Sequence, residues 1–431
     1  TNTIHAALSV FDDLPPAHRM LAEYYKQQHA AAETARNESA VARNATLLAM
    51  HDAGSFAAYL KGDGALTLVT DPPNAQATLY RYESVERRFI PSRPMGLGST
   101  PIVEHALPMG SYLVKLTSPG RAPVDYPVFI ERELHWDGIR PGGTQAYPIL
   151  LPKVDELGPN ERYVPAGWFW SGGDSSARNG LPGRRLWLDG FVTPRDPVTV
   201  GEYLLYLNGL VDEGRGEEAA AAVPPVPAWE SLEESPDREF GFSREASGRY
   251  KFEGGEEKLS LPVAWVSWYQ AKDYSTWLAA HDGKPWRLMQ EMQHEKASRG
   301  VDARYFPWGN QFDATFCAMR DSHAGAGRVM RFQVNEFPLD ESPYGVRGCA
   351  GNTFAWCEDA YSPTGPDIRG DIPYPPDPAA LQGPGAGGAH RIMRGGSYRD
   401  SEAYCRTSFR DCPPAICHYD QIGFRVARLL T

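Results

Sequence analysis

Gly351-Asn352-Thr353-Phe354-Ala355-Trp356-Cys357, then Arg394-Gly395-Gly396-Ser397-Tyr398, then Gly423-Phe424-Arg425-Val426-Ala427 are the stretches that decide the fold. They read as short strands beside glycines, joined by long Gly/Pro loops. A chain with so little repeating structure must satisfy its loop backbone from side chains, because an unpaired buried polar group costs about 1–3 kcal/mol. Asn310, Asn352, Arg394, Arg406, Arg410 and Arg425 suit that work, so they are expected to be framework.

Upstream, Trp265-Val266-Ser267-Trp268 opens a helix in which Ala271, Tyr274, Trp277 and Leu278 share one face at spacings of three and four. A second helix follows Arg287-Leu288, with Glu291 and Glu295 at i and i+4 and a basic end before Gly300. Carboxylates at that spacing can hold a metal. With no histidine pair nearby, the expectation is that they buttress arginines.

The N-terminal third has a different texture. Residues 1–63 are rich in Ala, Glu, Gln, Lys and Arg, and Met20, Leu21, Tyr24 and Tyr25, then Leu47, Leu48 and Met50, recur at helical spacing. Two amphipathic helices are expected, the first started by Pro15-Pro16. From Ala65 the period becomes two, through Leu66, Leu68 and Thr70 and on to Ala77, Leu79 and Arg81. Gly98-Ser99-Thr100-Pro101, Leu107 to Leu116 and Pro119-Gly120-Arg121 give residues 64–140 a resemblance to PEGA modules, small β-sandwiches that act as spacers. The remainder, 141–431, is expected to be one domain.

Composition sets the outer limits. The chain has 431 residues, 43 Lys+Arg against 54 Asp+Glu, a net charge of -11 and 42% hydrophobic residues. That is a globular balance of two or three domains. Without a Lys/Arg block it argues against a nucleic-acid partner. The longest apolar stretch, 219–229, is broken by Pro224, Pro225 and Pro227 and falls short of the ~20 residues of a membrane span. All six cysteines (Cys317, Cys349, Cys357, Cys405, Cys412, Cys417) lie after residue 316, which points to a reduced, cytoplasmic setting rather than a disulfide framework. The start at Thr1, with neither Met nor a signal-peptide pattern, suggests a fragment of something longer.

Phe306-Pro307-Trp308-Gly309-Asn310 and Ser342-Pro343-Tyr344-Gly345-Val346 precede the three deciding stretches. Tyr163-Val164-Pro165-Ala166-Gly167, Leu188-Asp189-Gly190-Phe191, Pro197-Val198-Thr199 and Tyr203 come earlier still. In this order the set resembles the formylglycine-generating enzyme family, also called sulfatase-modifying-factor domains, over residues 160–429. The resemblance implies an α+β chain whose C-terminal part has a C-type lectin-like fold with little regular secondary structure. It also implies copper for the oxidase members, held by two cysteines just after the Gly-Gly-Ser segment. Aligned on Gly395-Gly396-Ser397-Tyr398, those positions are Asp400 and Cys405. A carboxylate does not replace a thiolate on Cu(I), a soft ion, so the chain is expected not to oxidise cysteine and to carry no cofactor. Two calcium-ligand positions of the family fall on Ala355 and Gly348, so no calcium is expected. The non-haem iron branch groups its histidines; here they are scattered, and His294 and His323 read as ordinary residues. Cys412 and Cys417 could pair with Cys405 or a metal, but nothing around them has a metal-site signature and they read as surface thiols.

What remains is a binding surface. Asp411-Cys412-Pro413-Pro414-Ala415-Ile416-Cys417-His418-Tyr419-Asp420 mixes apolar, aromatic and polar residues without period. By resemblance, this place carries the variable ligand-binding residues in the variable proteins of diversity-generating retroelements. The expected face is Tyr398, Asp400, Tyr404, Ser408, Asp411, Cys412, Ile416, Cys417, His418 and Tyr419, for a protein or peptide ligand, because aromatics supply rigid contact area. The competing expectation is an oxidase, or the regulatory sensor domain of a bacterial serine/threonine kinase. The chain itself has no Gly-rich loop before a Lys strand, no His-Arg-Asp and no Asp-Phe-Gly. The Pro/Gly-rich residues 362–390 are expected to form a surface loop beside the face.

Overall fold

A computed structural model describes residues 14–35, 37–225, 241–323, 331–374 and 389–430. Residues 375–388, about half of the 362–390 segment, lie outside them. The chain divides into two compact units, residues 1–67, 103–110 and 130–137 in one, and residues 68–102, 111–129 and 138–431 in the other.

The first unit holds helices α1 (Pro15–Thr34), α2 (Glu38–His51) and α3 (Ala57–Lys61). Pro15 and Pro16 occupy the first helical positions, where a missing N–H costs nothing, and the Asn37 side chain caps α2 through the Ala40 N–H at 3.0 Å. Ala22, Leu48 and Tyr59 close the small core, with Tyr25, Phe56 and Leu60 against it. The apolar stripe read from the sequence is only partly inward: Leu21 and Leu48 are buried, while Met20 and Met50 face solvent. Arg132 pairs with Glu33 at 2.8 Å and stacks on Tyr59, tying the strand region to the helices. Strand Gly64–Leu68 runs parallel to His135–Trp136 and beside Ile102–Leu107.

The second unit begins with a four-stranded sheet in the order Arg88–Ser99, Gln76–Val85, Gly110–Thr117, Val124–Ile130. Its first hairpin docks on the loop carrying Trp308: the Phe89 N–H donates to the Trp308 carbonyl at 2.7 Å, and Arg87 pairs with Asp313 at 2.9 Å. The Arg304 guanidinium lies over the Tyr82 and Phe89 rings while bonded to buried Asp302.

Beyond residue 140 the regular pieces are short. They are helices α4 (Val200–Asp212), α5 (Gly216–Ala222), α6 (Trp268–Asp282), α7 (Glu291–Arg299) and α8 (Glu402–Cys405), with several two- and three-stranded sheets. Thr199 with Glu202, and Ser267 with Gln270, form reciprocal capping boxes that fix where α4 and α6 start. Tyr203 and Tyr206 of α4 meet Tyr274 and Trp277 of α6 in one aromatic cluster, the inward face that the spacing predicts. Phe354–Ala360 is the central strand, antiparallel to Arg391–Arg394 and parallel to Ile422–Phe424. Thus the first stretch quoted at the outset supplies the central strand, Arg394 and Gly423-Phe424 end its two neighbours, and Val426-Ala427 pair instead with Arg287-Leu288. The helix content, small sheets and long loops make the chain α+β with little regular secondary structure.

Candidate functional site: a buried ionic frame under an exposed aromatic face

Helix α7 presents Glu291 and Glu295 to the interior, where both are fully buried. Arg394 Nη2 donates to Glu291 at 2.9 Å and Glu295 at 3.1 Å, Arg299 donates to Glu295 at 2.7 Å, and Arg410 also grips Glu291. The Gly172 N–H and the Ser171 hydroxyl complete the shell of Glu295. Burial alone would raise the Glu295 pKa, but the Arg394 and Arg299 charges and these hydrogen bonds hold it below the ordinary value. Each carboxylate is therefore saturated by arginine. Among the described residues no group of three His, Cys, Asp or Glu side chains could hold a metal.

The same arginines brace loops. Arg394 Nη1 donates to the Thr407 and Phe409 carbonyls at 3.1 and 3.3 Å, Arg410 to that of Ser362 at 2.9 Å, and Arg425 to that of Gly348 at 2.9 Å. Arg406 pairs with Asp174 and Glu402, at 2.6 Å each, and stacks on Tyr305 and Phe306. The Asn352 amide clamps the Phe332 backbone, accepting at 3.0 Å and donating at 2.8 Å. The framework role expected of these residues is what they perform.

Asp400 and Cys405 sit just above this frame. The Asp400 carboxylate is half-buried and accepts from the Ser397 hydroxyl, and burial pushes its pKa up. Cys405, at the end of α8, is fully buried in one apolar cluster with Phe306, Trp308, Cys317, Met319 and Ala350. The neighbouring Cys405 thiol, with burial, raises the Cys317 pKa well above its ordinary value. Gly396 makes the close approach possible: its φ is +71°, and a Cβ there would stand 3.0 Å from the Cys405 sulfur. Copper held by two thiolates does not fit positions 400 and 405, because one offers a hard oxygen already bonded to Ser397 and the other turns its sulfur inward. Ala355 lies buried in the central strand and brings no side-chain oxygen for calcium. His294 is a core residue; burial first, then the Arg425 and Arg394 charges, keep it neutral with a strongly lowered pKa.

The structure separates the ten expected face residues. Tyr398 and Ser408 are 2% and 1% exposed, a correction to the expected face: both belong to the frame, with the Tyr398 hydroxyl donating to Asp420 at 2.6 Å. Asp400, Tyr404, Asp411, Cys412, Cys417 and His418 are half-buried, while Ile416 at 65% and Tyr419 at 43% are exposed. The segment is pinned from below, since the Ala415 carbonyl accepts from the Trp268 N–H and the Tyr419 carbonyl from the Trp265 N–H, both at 3.0 Å. Anchors at Ala415 and Tyr419 leave Ile416 to project between them. Further along, Arg178 donates to the Tyr404 hydroxyl at 2.7 Å, and His390 Nδ1 bonds the Cys412 carbonyl at 2.5 Å. Two exposed aromatics extend the face and were missed from sequence: Tyr269, which follows inward Trp268 on α6, and Tyr361, whose N–H bonds the His390 carbonyl. The helical period carried a signal for Tyr269, because it shares a face with the polar Lys272, Asp273 and Thr276 at spacings of three, four and seven.

Frame and face together define a lectin-like domain of the formylglycine-generating type in which the copper pair is incomplete. The chain belongs to the sulfatase-modifying factor enzyme 1-like domain family, whose profile matches residues 150–430. It is 29% identical to serine/threonine-protein kinase pkn1 of Chlamydia caviae over 269 residues, 62% of this chain and 37% of that protein. It is 32% identical to the formylglycine-generating enzyme of Thermomonospora curvata over 192 residues, 40% of this chain and 56% of that protein. Among solved structures, Treponema denticola variable protein 1 superposes with a TM-score of 0.42 at 18% identity, covering 62% of this chain and 94% of that one. The chain thus spans little more than a third of the length of the chlamydial kinase.

Proposed function

We propose that this chain is a non-catalytic ligand-binding protein that displays its C-terminal surface on the lectin-like scaffold, in the manner of retroelement variable proteins. One observation carries the reading: Cys405 is sealed inside against Cys317, and Asp400 is spent on Ser397, while Ile416 and Tyr419 stand in solvent a few residues on. The ligand class is a protein or peptide. Rigid aromatic and aliphatic groups on a pinned backbone give contact area at low entropic cost, and a net charge of -11 disfavours nucleic acid. Residues 64–140 serve in this reading as a PEGA-like spacer.

Panning a random-peptide display library on the intact chain tests it. Enriched peptides should lose at least about tenfold in affinity on the Ile416→Ala/Tyr419→Ala double variant. No enrichment, or binding indifferent to those substitutions, contradicts it. Variation of the face is read separately, by sequencing for a template repeat beside a reverse transcriptase.

The similarity to the chlamydial kinase supports a second reading, in which the same face senses a ligand for a serine/threonine kinase. A kinase domain encoded upstream in the same gene, with activity altered by a peptide that binds the face, would favour it.

A further inference from the structure

Cys317, in a loop, and Cys405, at the end of α8, are about 90 residues apart in sequence, yet both are fully buried in one apolar cluster. Backbone contacts bring them together. The Arg320 N–H donates to the Asp400 carbonyl at 3.1 Å, the Asn352 N–H to that of Ala318 at 2.7 Å, and the Tyr398 N–H to that of Asn352 at 3.1 Å. Ser322 Oγ folds the loop under Cys317 by donating to its carbonyl at 2.5 Å and accepting from the Met319 N–H at 3.1 Å. The other four cysteines have no such arrangement: Cys349 and Cys357 are buried apart from this cluster, and Cys412 and Cys417 are half-buried on the face.

We propose that Cys317 and Cys405 are a redox pair that closes to a disulfide, stapling the 313–323 loop to α8, the base of the exposed face. The oxidant is a small disulfide such as oxidised glutathione. One protein thiolate attacks it, forming a mixed disulfide and releasing one glutathione thiolate. The second protein thiol, losing its proton, then attacks the protein sulfur of that mixed disulfide and releases the second glutathione. Two protein thiols are oxidised, one glutathione disulfide is reduced to two thiols, and the two protons lost by the protein end on them. Native packing holds both cysteines in one cluster, so the folded state raises their effective concentration and favours the bond. Because both thiols are shielded in the native state, exchange proceeds while the chain is open, and the equilibrium is reached on refolding. This assignment is independent of what the face binds.

The test refolds the denatured, reduced full chain in glutathione buffers of graded ratio, counts free thiols after acid quenching, and maps linked peptides by mass spectrometry. The titre should fall from six to four, with Cys317 linked to Cys405, at a buffer at least about tenfold more reducing than the unfolded chain requires for any pair. The Cys317→Ser and Cys405→Ser variants should each keep five thiols; the wild-type peptide map needs neither of them to fold. A Cys412–Cys417 link in place of this one, six thiols at every ratio, or a loss of titre reversed by a chelator with no linked peptide would each overturn the proposal.

Discussion

Arg394 reaches Glu291 at 2.9 Å from strand Arg391–Arg394, across the buried interior, and the same nitrogen holds Glu295 one turn further along α7. This contact joins the helix whose glutamates were expected to buttress arginines to the strand that leads into the Gly-Gly-Ser segment. It makes the frame electrostatic as much as apolar, and buried ions hold a frame only while each keeps its partner.

Arg394→Ala should therefore cost about 3–5 kcal/mol, since two carboxylates lose a shared guanidinium in a buried site. Urea unfolding followed by tryptophan fluorescence checks this. A loss under about 1 kcal/mol would mean the pairing is dispensable.

Stability should depend on Lys296 at alkaline pH. Its ammonium is buried against the Pro165 and Gly167 carbonyls at 2.8 and 3.0 Å, and burial pushes its pKa from 10.5 to about 7, against the pull of Asp189. Between those values the unfolded chain holds a proton that the folded chain lacks, so stability rises with pH across the window, by at most about 1.4 kcal/mol per unit. Below pH 7 the group adds no further slope. Lys296→Met should flatten the rise, as read from urea midpoints at about pH 7.5 and about pH 9.5.

Gly351 marks the tightest backbone crossing beside the face. At φ +147° its added Cβ would stand 2.2 Å from the Ala318 carbonyl oxygen. Gly351→Ala should destabilise the fold by at least about 2 kcal/mol, because backbone rather than a flexible side chain must move. A variant that melts like the parent would contradict that crossing.

The face itself should be free of structural duty. Ile416→Ala and Tyr419→Ala should each leave unfolding free energy within about 0.5 kcal/mol of the parent, as expected of exposed side chains. Tyr398→Phe, by contrast, removes the bond to Asp420 and should cost about 1 kcal/mol. Chemical denaturation of the three variants side by side separates frame from face.

Legibility in the sequence followed periodicity. Helix α6 was readable because Ala271, Tyr274 and Trp277 repeat at helical spacing, and all three are inside. The arginine frame was readable from composition, because a loop-rich chain has few other donors for its carbonyls. Between Tyr398 and Tyr419 no period exists, so nothing in the sequence distinguishes inward Tyr398 and Ser408 from outward Ile416 and Tyr419. Sequence separation hid the Cys317–Cys405 contact, which depends on the Arg320, Ala318 and Asn352 backbone. It likewise hid the hairpin tip at Phe89 docking on Trp308, more than two hundred residues away.

In the proposed reading this scaffold binds through its face and does not oxidise cysteine. The most direct measurement incubates the full chain with copper, oxygen, a thiol reductant and a peptide bearing a sulfatase-type cysteine motif, and follows the cysteine by mass spectrometry. The peptide's cysteine should not be converted to the aldehyde at any copper loading, because Asp400 stands where a second thiolate is needed. Catalytic conversion to formylglycine would contradict it.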